Sequence, residues 1–218
     1  MVLGVRVCTL EGMSPTAPTW NQSLLLGLAG VMAAGRLVAA DMAPEAIDRP
    51  RYELEAMTAV LWKVGGGATP LTYLLLPQII SLRIPPINVR PLAGGTLVFR
   101  SRFSLLLEPI VRGPEHFFIG TAAVGELEWW HATNRFSCFF GAGGGFGWMD
   151  SEGHEVAGGQ GQDFNFDWMA HAGMRYRTRE GWQWSLGAYF QHISNRGMNK
   201  INPGLNAVGP SLGLSRRF

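Results

Sequence analysis

Near the end of the chain, the stretch AYFQHISNRGMNKINPGLN (Ala188 to Asn206) sets a histidine, His192, two residues before a serine, Ser194. Imidazole is the side chain that exchanges protons near neutral pH, and a hydroxyl beside such a base can act as a nucleophile. On a strand, successive side chains alternate between faces, so residues 192 and 194 would stand on the same face. The pair therefore poses a question of acid–base or nucleophilic chemistry at the tip of a segment that is otherwise apolar. Its answer depends on the elements that carry it.

Those elements show two-residue alternation. In QDFNFDWMAHAGMRYR, Phe164, Phe166, Trp168, Ala170, Ala172, Met174 and Tyr176 alternate with Asp163, Asn165, Asp167, His171, Arg175 and Arg177. One face is apolar and the other charged, as in an amphipathic strand. In TLVFRSRFSLLLE, Leu97, Phe99, Phe103, Leu105 and Leu107 oppose Arg100, Arg102, Ser104 and Glu108. The first candidate strand sets Leu54, Ala56, Val60 and Trp62 against Glu53, Glu55 and Lys63.

Such segments fall near 52–64, 71–83, 95–107, 117–129, 136–148, 162–177, 182–194 and 206–218, separated by turn formers such as GGGATP, RGPEH, HATNR and RTREG. Each has the length, about 9 to 11 residues or slightly more, of a tilted strand that crosses a bilayer. Apart from LTYLLLPQII (residues 71–80), about half the required length, no run after residue 40 approaches a membrane-spanning helix. The reading is all-β, an eight-stranded antiparallel transmembrane β-barrel. A closed barrel leaves no unpaired edge in lipid. The terminal Phe218 resembles the C-terminal signature of bacterial outer-membrane barrels. A soluble β-sandwich explains neither this terminus nor the aromatic outer face.

In this frame the seventh strand directs Trp182, Trp184, Leu186, Ala188 and Phe190 outward, and His192 and Ser194 share their parity. A histidine facing hydrocarbon is costly and marks a functional site by default. In the eighth strand, Asn206 falls on the outward parity of Val208, Leu212 and Leu214. Three polar groups are thus expected to converge on an apolar wall. If the first strand rises from the periplasm, the loop between strands seven and eight is extracellular, and the pair lies near the outer leaflet.

Composition agrees. Charged residues are only 16% of the chain, against roughly 25% in soluble domains, while Gly numbers 29 and Trp 8. The net charge is +2 with the basic residues scattered, which excludes a nucleic-acid footprint. The apolar run from Leu24 to Ala34, followed by Val38, Ala39 and Ala40, reads as a signal peptide over residues 1–40, with Met13 an alternative start and the barrel over 41–218. Removal of Cys8 with that segment leaves Cys138 alone, which excludes a disulfide framework and a cysteine zinc site.

The charges on the inner face, including Glu126, Glu128, Asp163, Asp167 and His171, read as mutually neutralising filler, because eight strands leave room only for side chains. That geometry also argues against a pore. GAGGGFG (Gly141 to Gly147) lacks phosphate-loop spacing and reads as small residues that admit bulky neighbours inside the barrel. No cluster calls for a metal or a cofactor.

FQHISNRGMNKINPGLN, with GQDFNFDWMAHAGMRYR before it, resembles the lipid A 3-O-deacylase (PagL) family of outer-membrane barrel esterases. The resemblance covers roughly Gly141 to Phe218, and the earlier strands by pattern alone. It implies that His192 is the base and Ser194 the nucleophile. It also implies oxyanion and substrate contacts from Asn195, Gly197 and Asn202. One departure stands out: where the family's best-known form has a glutamate twelve residues after the serine, this chain has Asn206. An amide oxygen can fix the histidine tautomer, yet it stabilises an imidazolium only weakly. Glu152 or Glu155, from the 149–161 loop, are alternative carboxylates.

The resulting expectation is an outer-membrane esterase that removes an ester-linked acyl chain from lipid A of lipopolysaccharide, with Asn206 orienting the imidazole and with Arg196 and Lys200 meeting the phosphates. The alternative is a non-catalytic structural or adhesion barrel that keeps the motif as a relic. Whether two copies form a homodimer stays open at this level.

Overall fold

The computed structural model describes residues 51–65, 69–152 and 156–218. The expected leader over residues 1–40 and Glu155 lie outside the described residues. The described chain is all β, with strands β1 (Glu53–Ala59), β2 (Leu61–Lys63), β3 (Leu74–Leu75), β4 (Gln78–Arg83), β5 (Asn88–Leu92), β6 (Gly95–Arg112), β7 (Phe117–His131), β8 (Phe136–Met149), β9 (Phe164–Arg177), β10 (Trp182–Ser194) and β11 (Leu205–Arg217). All pairings are antiparallel, and β11 pairs with β1 to close the sheet into an eight-stave barrel.

The first two staves are each two strands in line. β1 and β2 part at Val60, which donates its N–H to Pro210 O at 3.2 Å across a position where the proline has no N–H to return. β3 and β4 part at Leu76 and Pro77, within the apolar run that had the composition, but not the length, of a helical span. There Leu76 N–H still reaches Pro109 O at 2.9 Å. The expected strand boundaries otherwise agree to within a few residues. The exception is β5, which the alternation did not reveal. It folds back on the start of β6 through Ala93 and Gly94, both at positive φ (49° and 74°), the geometry of a tight hairpin turn matched to strand twist.

Period two sorts the side chains as expected. Leu54, Ile80, Phe103, Leu105, Phe140, Leu186 and Leu212 are exposed on the outer wall, which is apolar as a lipid-facing wall must be. Inside, towards the end where β1 begins and β11 ends, Arg83 binds Glu53, Glu126 and Glu128, and Arg175 binds Glu126 at 3.0 Å and Glu128 at 2.8 Å. Arg102 reaches Glu55 at 3.2 Å, and Ser137 donates to Glu128 at 2.8 Å. This is the mutually neutralising filler expected of a narrow lumen. His171 belongs to it structurally, with Nε2 2.9 Å from Ser211 Oγ. Asp163 does not: it sits in the loop before β9, where its carboxylate accepts the Glu152 N–H at 2.7 Å, because β9 begins one residue later.

Towards the opposite end the lumen is mostly apolar, filled by Leu61, Leu75, Leu106, Phe118, Met149, Met169 and Ile193. Two buried carboxyls lie among them, Glu108, which accepts from Gln191 Nε2 at 3.1 Å, and Asp167, which forms no ion pair among the described residues and so is not the neutralised filler expected of it. The glycines of β8 make room for this layer. A Cβ at Gly147 would stand 2.6 Å from the Phe118 ring. The loops above it are tied to one another, with Tyr73 Oη donating to Glu115 at 2.8 Å and Gln160 N–H donating to the same carboxylate at 3.0 Å. The candidate site stands on the outer wall beside this packed end.

Candidate active site

β10 and β11 are antiparallel neighbours in continuous register, and the register sets His192 directly opposite Asn206. On its other side His192 faces Trp168 of β9, with ring centroids 5.8 Å apart. Period two then brings Ser194 onto the same outer face, one step nearer the loop. The sequence-derived trio is therefore assembled. His192 Nδ1 lies 2.6 Å from Asn206 Oδ1, and His192 Nε2 lies 2.9 Å from Ser194 Oγ.

The polarity of this chain is settled by what each atom can do. An amide oxygen only accepts, so with Oδ1 turned to the ring the proton sits on Nδ1. Nε2 then presents its lone pair to the serine hydroxyl. That is the tautomer a general base needs in order to take the proton from Ser194. His192 is half-buried and Ser194 is 9% exposed, so the pair is partly shielded, yet it opens on the membrane face of the wall. Neither Glu152 nor any other carboxylate among the described residues hydrogen-bonds or ion-pairs with His192; the third position is occupied by an amide.

The loop from 195 to 204 is organised by Asn195, which is fully buried. Its N–H donates to Asn202 Oδ1 at 3.0 Å, its Nδ2 donates to Ile201 O at 2.8 Å, and its Oδ1 accepts the Gly197 N–H at 2.9 Å. Arg196 and Gly197 turn the chain at positive φ, 53° and 81°. Asn195, Gly197 and Asn202 thus share one turn directly after Ser194. In this arrangement the Gly197 N–H is already engaged, so an oxyanion would have to take it over from Asn195 Oδ1. Arg196 extends its guanidinium to 5.5 Å from the Phe166 ring centroid, and Lys200 is exposed with no ion pair among the described residues.

Three neighbours were not singled out by sequence reasoning. Trp168 was read only as part of the greasy face, and its place against the imidazole follows from the β9–β10 register. Gly204, at φ 67°, packs over the pair so closely that a Cβ there would lie 3.3 Å from His192 Cε1 and 3.9 Å from Ser194 Cβ. Val64, from the first stave, donates its N–H to the backbone oxygen of Asn206 at 2.8 Å. No spacing rule links residues 64 and 206; only barrel closure does.

An eight-stave barrel with a polar lumen, an apolar outer wall and a buried-edge histidine–serine pair on that wall defines a membrane-embedded barrel with a candidate hydrolytic site. Comparison with known proteins narrows the class. The family model for lipid A 3-O-deacylase (PagL) matches residues 97–215, more than half of the chain, and the protein belongs to that family. The crystal structure of the outer membrane enzyme PagL superposes with a TM-score of 0.52 at 17% identity, covering 75% of this chain and 98% of that one. At that identity the likeness is one of fold. No curated protein matches in sequence. The family and the fold place the protein in the bacterial outer membrane.

Proposed function

We propose that the protein is a lipid A deacylase in which Ser194 is the nucleophile and His192 the general base. The observation that carries this reading is the continuous chain Asn206 Oδ1, His192 Nδ1, His192 Nε2, Ser194 Oγ, at 2.6 and 2.9 Å, on the wall that faces lipid. An ester-linked acyl chain of a lipid anchored in the same leaflet reaches this wall without leaving the membrane.

In the first half-reaction Ser194 Oγ attacks the ester carbonyl carbon as its proton passes to His192 Nε2. The resulting oxyanion is held by donors of the 195–204 turn, the Gly197 N–H, taken over from Asn195 Oδ1, and the side-chain NH2 of Asn202. Collapse breaks the bond to the sugar oxygen, which takes the proton from Nε2 and leaves as an alcohol. In the second half-reaction a water gives its proton to Nε2 and attacks the acyl carbon; collapse breaks the bond to Ser194 Oγ, which takes the proton back from Nε2, and the fatty acid leaves. Asn206 holds the imidazole in the required tautomer throughout. Arg196 and Lys200, at the rim, suit the phosphates of the lipid A headgroup.

A second reading, a catalytically silent barrel, has one observation in its favour: the amide at 206 gives the imidazolium no full negative charge to lean on. Mass spectrometry of lipid A from cells expressing the protein or Ser194→Ala at equal outer-membrane level separates the two. Loss of one acyl mass only with the unaltered protein is the expected result; identical spectra would leave the silent barrel standing.

A further inference from the structure

We infer that Thr69 is a positioning residue for the Ser194–His192 pair, acting through Gly204. This inference rests on the proposal that Ser194 is the nucleophile. Thr69 lies far from both residues in sequence and on a different loop, yet it is fully buried, and its N–H and hydroxyl are both engaged. Its N–H donates to Gly204 O at 2.9 Å. Its hydroxyl donates to Gly158 O at 2.5 Å and accepts the Leu71 N–H at 3.1 Å. One side chain therefore ties the β2–β3 loop to the 150–163 loop, while its backbone ties the same loop to the turn over the active site.

The contact at Gly204 matters because of what that glycine faces. Its left-handed backbone turns the side where a Cβ would stand towards the pair, so that a Cβ there would lie 3.3 Å from His192 Cε1 and 3.9 Å from Ser194 Cβ. A shift of the Gly204 carbonyl thus moves the backbone that faces both side chains. A few residues earlier, Val64 N–H holds Asn206 O at 2.8 Å. The β2–β3 loop grips β11 at two points that bracket Leu205, one behind the histidine's orienting amide and one beside the imidazole. The serine–histidine distance is set by the strands, whereas the backbone of Gly204 that faces the pair is held by Thr69. Small displacements of reacting groups cost rate steeply, roughly 10²-fold for about 1 Å.

The test uses the full barrel folded in detergent, with Thr69→Val, Thr69→Ala and Thr69→Ser beside Ser194→Ala. Two readouts are taken per folded molecule: kcat and KM for lipid A, and the rate at which a fluorophosphonate ester labels Ser194. Thr69→Val keeps the shape and removes both hydroxyl bonds; it is expected to lower kcat roughly 10-fold or more, to leave KM within about twofold, and to slow labelling by the same factor. Thr69→Ser restores the hydroxyl and is expected to recover both rates. If the valine variant does not fold, Thr69→Ala, which introduces no misplaced methyl, carries the measurement.

Unchanged kcat and labelling in folded Thr69→Val or Thr69→Ala, with reduced melting temperature alone, would make Thr69 a structural clamp only and overturn the inference. The deacylase reading fails separately. If lipid A is untouched by the unaltered protein while Ser194 is still labelled, the labelling rates of the Thr69 variants decide the positioning role. If Ser194 is not labelled at all, both ideas fall.

Discussion

His192 Nδ1 lies 2.6 Å from the amide oxygen of Asn206, at the position where a charged partner would stabilise the imidazolium. The contact is short and directly across the strand pair, so orientation is well served and charge is not. The two functions of a third catalytic group are thereby separable in this protein. Asn206→Ala removes orientation but leaves the base itself, and is expected to lower kcat roughly 10- to 100-fold, less than most of the roughly 10²- to 10⁴-fold that a well-placed general base contributes. Asn206→Glu adds charge at the same place and is expected to raise kcat roughly tenfold, about 1.4 kcal/mol of barrel-wall electrostatics. Steady-state deacylation by the two variants, normalised to folded protein, checks both signs; a glutamate variant no faster than the asparagine form would show that imidazolium stabilisation is not limiting.

Ser194 and His192 are expected to act as a unit. Each alanine substitution should abolish most of the activity, on the order of 10³-fold or more, and the double variant should lose little beyond either single one. Both side chains stand on the outer face and carry none of the lumen packing, so the folded band on unheated gels should be unchanged. Additive losses in the double variant would mean that the two residues do not share a proton.

Much of this arrangement was legible in the chain itself, and the reason is periodicity. Because strand side chains alternate, the parity of Phe190 predicts the face of His192, and the parity of Val208 predicts that of Asn206. The charges of β6, β7 and β9 likewise announce a lumen. What parity cannot reveal is register between distant staves. Trp168 beside the imidazole, Val64 behind Asn206 and Thr69 under Gly204 all depend on which residues barrel closure sets opposite one another. The state of the turn was also hidden: the family resemblance implied an oxyanion contact at Gly197, and its N–H is engaged because Asn195 caps its own turn. β5 escaped notice because Pro91 and the Ala93–Gly94 turn break the alternation on which the other strands were recognised.

The lumen network makes its own prediction. Arg175 lies between Glu126 and Glu128, with its guanidinium 3.8 Å above the Phe139 ring centroid, and it is fully buried. Removing one partner of a buried ion cluster leaves carboxylates uncompensated, which costs about 3 to 5 kcal/mol. Arg175→Met should therefore lower the urea midpoint of the folded barrel markedly, while the residual folded fraction keeps its kcat, because the ion network lies at the far end of the lumen from His192. A proportional loss of kcat per folded molecule would instead tie the network to the chemistry.

The rim cations divide substrate recognition from catalysis. Arg196 sits at positive φ with its guanidinium near Phe166, and Lys200 is exposed in the same loop, so both can meet an anionic headgroup without touching the ester. The double variant Arg196→Ala with Lys200→Ala is expected to raise KM for phosphorylated lipid A several-fold and to leave kcat within about twofold, since uniform binding affects KM alone. For an uncharged short-chain ester the same variant should match the unaltered protein. Surface electrostatics are screened by salt, with a Debye length of about 10 Å at 0.1 M and roughly 3 Å at 1 M. The KM difference between the two proteins should accordingly shrink as salt is raised; a difference that persists undiminished in high salt would assign these residues to shaping the turn rather than to attracting phosphate.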